Sequence, residues 1–218
     1  MARRIALIHA VVAAMEPVRA AFERLWPDAE CVNVLDDALA PDRARDGELK
    51  PEMSRRIGAL ADYALSLQPK GILFTCSAFG PAIEAVAAKA PVPVLKPNEA
   101  MFEEAIELGT RIVMLVTFPN AAESMRPEFE ALAKARSVPA RLETVYVADA
   151  MAALKTGNLE AHNRLIAEAA RGLAQADAIL LGQFSMAPAA DAVARAAKRP
   201  VLTSPESAVR KLKGLIGA

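Results

Sequence analysis

One stretch of this chain recurs within it, and the recurrence limits the fold more than any other feature. At an offset of 107 residues, Ile72-Leu73 matches Ile179-Leu180 and Pro81-Ala82 matches Pro188-Ala189. Ala85-Val86-Ala87 matches Ala192-Val193-Ala194, Pro93-Val94-Leu95 matches Pro200-Val201-Leu202, and Glu99 falls on Glu206. Glu84 and Asp191 form a conservative pair, and Arg4-Ile5 lands on Arg111-Ile112, each opening an apolar run. Chance likeness among alanine-rich helices accounts for the Ala and Val matches. It does not account for two prolines and a Pro-Val-Leu run at one ungapped offset. The pattern is read as a duplication.

Short apolar runs alternate with longer amphipathic ones. Strands are expected at Arg4–His9, Cys31–Leu35, Gly71–Thr75, Val92–Leu95, Arg111–Val116, Leu142–Val147, Ala178–Gly182 and Pro200–Leu202. Most are continuous runs of Val, Ile and Leu, as in parallel sheets covered on both faces. Helical patterns cover 14–25, 50–67, 80–89, 97–107, 121–135, 159–175, 187–197 and 204–214. Repeated strand–helix units imply right-handed crossovers. The expected fold is α/β, with two pseudo-symmetric Rossmann-like halves, each a parallel sheet flanked by helices. The halves would comprise 1–96 plus 204–218, and 97–203, with an active-site cleft between them. Asp36–Lys50, charged and interrupted by Pro41 and Gly47, reads as a loop, either ordered at a site or mobile.

Twenty-six basic residues balance 26 acidic ones, so no net charge steers the chain to nucleic acid or an anionic membrane. No apolar stretch has the length of a transmembrane helix. Arg3-Arg4 before an apolar run resembles the start of a secretory signal, but the same pattern at Arg111 favours a strand. Two cysteines make no disulfide framework, which points to reduced thiols and the cytoplasm. There is no dinucleotide fingerprint, phosphate loop or clustered His/Cys set for zinc.

The repeat aligns two polar turns, each between a strand and a helix that carries proline in its first turn. One reads Thr75-Cys76-Ser77-Ala78 and the other Gly182-Gln183-Phe184-Ser185, so Cys76 corresponds to Gln183. Free N–H groups at such helix starts favour anions and are expected to lower a thiol pKa. The backbone N–H groups of Ser77, Ala78, Phe184 and Ser185, with the hydroxyls of Ser77, Thr117 and Ser185, are candidate anion contacts. Phe118 and Phe184 read either as an apolar pocket or as packing. Asn120 reads first as the N-cap of the helix from 121. Asp36 and Asp37 read as loop or cap residues, Cys31 as core, His162 as surface, and the methionines as core filling.

Ile5–His9, Leu73-Phe74-Thr75-Cys76-Ser77, Val113–Thr117 and Leu180-Leu181-Gly182-Gln183-Phe184-Ser185-Met186, in this order, resemble the aspartate/glutamate/hydantoin racemase superfamily. That superfamily also includes arylmalonate decarboxylase and maleate isomerase. The resemblance spans essentially the whole chain. It implies catalysis without cofactor or metal, in which a cysteine from each half flanks the substrate's acidic carbon, and it points to a homodimer. Cys76 matches the first cysteine, but Gln183 stands at the second, and an amide does not titrate usefully. His9, at a strand end, reads either as a structural histidine or, if it faces the cleft, as the candidate replacement acid or base. The resemblance therefore implies a racemase or isomerase acting beside a carboxylate, with Cys76 as acid/base or nucleophile. Gln183 keeps open a single-cysteine decarboxylase or lyase, or a small-anion binding protein without catalysis.

Overall fold

The computed structural model describes residues 3–217, apart from the side chains of residues 119–121 and 124. The chain divides into two compact units: unit 1 comprises residues up to Pro97 together with those from Ala208, and unit 2 comprises Asn98–Ser207.

Unit 1 is built on four parallel strands in the order β2-β1-β3-β4: β1 (Arg3–His9), β2 (Ala29–Leu35), β3 (Gly71–Phe74) and β4 (Val94–Leu95). Helices α1 (Met15–Leu25), α2 (Leu39–Asp46), α3 (Pro51–Ser66) and α4 (Gly80–Ala87) connect them. Ala6, Ile8, Ile72 and Phe74 form one core with Leu39, Met53, Ile57, Ala61, Ala64 and Ile83. Ile5, Leu7 and Leu73, on the alternate positions, are also buried. Covering both faces is what makes these strands read as unbroken apolar runs.

Unit 2 repeats the plan in the order β6-β5-β7-β8, with β5 (Arg111–Val116), β6 (Arg141–Tyr146), β7 (Ala178–Leu181) and β8 (Val201–Thr203). Its helices are α5 (Glu99–Leu108), α6 (Pro119–Ala135), α7 (Ala150–Lys155), α8 (Leu159–Ala170) and α9 (Ala190–Ala197). The last helix, α10 (Ser204–Ile216), begins within unit 2, and its residues from Ala208 onward belong to unit 1. In β5, Val113 and Leu115 enter the core containing Ile166 and Val193, while Ile112, Met114 and Val116 enter the core with Phe102 and Phe129. Those two rings meet edge to face at 5.5 Å.

The repeat extends to individual hydrogen bonds. Lys70 N–H donates to the Arg4 carbonyl (2.7 Å), as Asp177 does to Arg111 (2.8 Å). Ile72 donates to Pro93 and Ile179 to Pro200, both at 2.9 Å. Thr75 donates to Ile8 (3.0 Å) and Gly182 to Leu115 (2.9 Å). Every pair is related by the 107-residue offset.

Several expectations need correction. Residues 36–50 are no loop: they contain α2, closed at Gly47 with φ of 72°. Arg56 of α3 holds this segment through a bidentate pair to Asp36 (2.7 Å to each oxygen) and a 2.6 Å bond to Asp42. The short helix α7 also lies where none was expected. Pro188 sits inside a 3₁₀ segment rather than in the first turn of α9. It lacks an N–H and blocks the i−4 carbonyl, so the α-helix proper begins after it. Helix α6 begins at Pro119, ahead of Asn120, whose side chain lies outside the described residues.

Candidate functional site

The polar groups of unit 1 gather where its central strands end. His9 closes β1 and is 1% exposed. Its Nδ1 lies 2.9 Å from the Thr75 hydroxyl and its Nε2 2.9 Å from Asn33 Oδ1. The Asn33 oxygen can only accept, so Nε2 carries the proton and Nδ1 accepts from Thr75. Burial pushes the His9 pKa down, against a smaller opposing pull from the Asn33 bond. The ring is neutral, with both nitrogens engaged. This geometry makes His9 a brace between β1, β2 and the segment leading to Cys76. It offers no free nitrogen for proton transfer.

Cys76 follows Thr75 in extended conformation (φ −128°, ψ 122°) and leads into a three-residue 3₁₀ turn, Ser77–Phe79. The residue is half-buried and packs against the core of unit 1. Burial pushes its pKa up, and a hydrogen bond from the Ala78 N–H offsets this only in part. The lowered thiol pKa expected from a helix start is thus not found. The following segment is a single 3₁₀ turn, without the aligned dipoles of a long helix, so desolvation outweighs the backbone field. Ser77 and Ala78 are half-buried. Cys76 and His9 share the wall of a cavity of about 10 Å³ with Leu39 and Ile57 among its lining.

The equivalent strand ends of unit 2 carry a different bond. Gln183 Oε1 accepts from the Thr117 backbone N–H (3.1 Å) and from its hydroxyl (3.3 Å). That fixes the amide, and the buried Nε2 has no hydrogen-bond partner among the described residues. By the repeat, His9 and Thr75 correspond to Val116 and Gly182. A Cβ on Gly182 would lie 3.0 Å from Val116 Cγ1, 3.1 Å from Met125 Cε and 3.2 Å from the Leu115 carbonyl oxygen. Unit 1 fills this level with a His–Thr hydrogen bond, and unit 2 fills it with hydrocarbon. Phe184 is buried, Ser185 half-buried, and Phe118 is 48% exposed.

The structure thus brings together His9, Thr75 and Cys76 within unit 1, and Thr117 with Gln183 within unit 2. Sequence reasoning missed Asn33, a lone amide in an apolar strand, and Leu39, hidden in the charged segment. Two other expectations are reversed. His162 is fully buried, because it shares the i, i+4, i+8 stripe of α8 with Ile166 and Ala170. Cys31 is half-buried rather than core, on edge strand β2. Among the described residues no His/Cys/Asp/Glu group could hold a metal, and no helix is long and apolar enough to cross a membrane.

No curated protein sequence matches this chain significantly. Solved structures do resemble it. The aspartate racemase of Picrophilus torridus superposes with a TM-score of 0.75 at 15% identity, covering 99% of this chain and 94% of that one. The allantoin racemase of Klebsiella pneumoniae gives 0.73 at 20% identity, covering 98% and 87%. A glycine-to-cysteine variant of arylmalonate decarboxylase, in a sulfate-associated form, gives 0.67 at 18% identity, covering 99% and 94%. At these identities the likeness establishes the fold. The sequence model of Asp/Glu/Hydantoin racemase matches residues 7–212, and over that span the protein belongs to the Asp/Glu/hydantoin racemase family.

Proposed function

We propose that the protein is a cofactor-independent isomerase of the racemase type, acting on a small carboxylate at the acidic carbon next to it, with Cys76 as the proton-transferring group. The observation that carries this reading is the position of the Cys76 thiol. It stands at the end of a central strand, beside a cavity, braced by a neutral His9 and touched by the Ala78 N–H. A thiolate at Cys76 would take the α-proton, leaving the electron pair delocalised onto the carboxylate as an enediolate. A proton from solvent, delivered to the opposite face of that carbon, inverts it, and Cys76 releases the proton it took to solvent. Within unit 1, the Ser77 hydroxyl, next to Cys76 in the chain, is suited to the developing oxygen charge.

Gln183 favours a second reading. It occupies the position equivalent to Cys76, it does not titrate, and its oxygen is committed to Thr117. A single thiol suffices for a decarboxylase. Carbon dioxide leaves, its bonding pair stays on the α-carbon, and the Cys76 S–H proton is delivered there. The thiol is then restored from solvent. The raised pKa of Cys76 keeps it protonated at neutral pH, which suits a proton donor.

Both readings are tested by NMR in heavy water with amino acids, hydantoins and substituted malonates, beside Cys76→Ala. Deuterium entering the α-carbon of an otherwise intact substrate indicates isomerase chemistry, and carbon dioxide release indicates decarboxylation. Either must vanish in the folded Cys76→Ala variant. Turnover that survives the substitution overturns the assignment.

A further inference from the structure

We infer that the cavity beside Cys76 receives a small uncharged substituent of the substrate, and that Leu39 sets the size it accepts. This rests on the reading of Cys76 as the reacting group. The cavity lies wholly within unit 1 and is walled by Ile8, Ala10, Leu39, Ile57, Phe74 and Phe79, with Cys76 and His9. Its volume of about 10 Å³ is room for one water or one methyl group. None of its walls carries a charge. Its one polar ring, His9, is neutral, and both its nitrogens are engaged by Asn33 and Thr75. A carboxylate entering there would meet no counter-charge and no unengaged ring nitrogen of His9, and an unpaired charge is strongly disfavoured in such surroundings.

The far wall is held in place. Leu39 opens α2 and is fully buried. Arg56 ties α2 and the segment leading into it to α3 through Asp42 and Asp36, and Ile57 is the next residue of that helix. A wall pinned by ion pairs from a neighbouring helix cannot readily retreat from a larger group, so the side chain of Leu39 sets the available length.

The test measures protection of Cys76 in the intact protein against methyl methanethiolsulfonate, followed by mass spectrometry of the Cys76 peptide. The protectants are acetate, propionate, butyrate and succinate, whose α-carbons carry hydrogen, methyl, ethyl and carboxymethyl. Propionate is expected to protect at a concentration about tenfold below that of succinate. Leu39→Ala should shift the preference toward butyrate by about tenfold, and Ala10→Val, which narrows the cavity from the residue after β1, should abolish the advantage of propionate over acetate. Each readout compares ligands within one protein, so reduced stability does not mimic it. Equal or better protection by succinate overturns the inference while leaving a carboxylate site at Cys76. An unchanged propionate-to-butyrate ratio in Leu39→Ala overturns it as well. Failure of all four ligands, acetate included, removes the carboxylate site itself and the reading beneath it.

Discussion

His9 and Cys76 are both held in their uncharged forms by burial, and each gives a pH dependence of definite sign. The His9 pKa is lowered in the folded protein, so the unfolded chain binds the extra proton first. Its contribution to stability is therefore complete above the unfolded value of about 6.5 and is lost as pH falls below it. His9→Gln should flatten the stability profile below about pH 6.5, measured by denaturant titration. A loss of the same slope in wild type and variant would remove His9 from this account. For Cys76 the raised pKa predicts iodoacetamide alkylation that inflects above the free-thiol range. Cys31, pushed up to about 12 by burial and by the charge of Glu23, should likewise react slowly at neutral pH. An inflection of Cys76 at or below the free-thiol value would contradict the burial argument.

At the scale of elements, α2 depends on side chains far away in sequence. Arg56→Ala removes the bonds to Asp36 and Asp42, and should lower stability in denaturant titration. Amide exchange in residues 39–46 should quicken selectively, because the ion pairs fix that helix and not the sheet. Uniform acceleration across unit 1 would argue against a local clamp. This dependence also explains what could be read from the sequence. The strands were legible because two covered faces demand continuous apolar runs, and their correspondence between the two halves followed from the offset that joins Ile72 to Ile179. Helix α2 was not, since Pro41 and its charges suit a loop until Arg56 is placed beside them. The burial of His162 was hidden for a related reason: its position on the Ile166–Ala170 stripe outweighs the polarity of its neighbours. In the candidate site the turn holding Cys76 and the Cys76–Gln183 correspondence were legible. The direction of the thiol's pKa was not, because it turned on how deeply the sulfur is packed.

At the scale of the whole molecule, two copies of one plan carry different chemistry at the same strand ends. Their cores should nevertheless respond alike. Ile72 and Ile179 occupy equivalent places in β3 and β7, and both are fully buried. Ile72→Ala and Ile179→Ala should each cost about 2–5 kcal/mol by calorimetry or denaturant titration. A large disparity would mean that the two cores have diverged in packing as well as in their polar ends. The division of the chain has another consequence. Gly71, at the base of β3, leaves space that Leu212 and Ile216 occupy: a Cβ there would lie 2.9 Å from Leu212 Cδ1. Lys213 Nζ also donates to the Leu25 carbonyl (3.0 Å). On the ribosome, strands β1–β4 are made first, yet this side of their unit stays unsealed until the final turns of α10 emerge. Unit 2, contiguous in sequence, has all its own residues before then. The half that bears Cys76 begins synthesis first and is completed last.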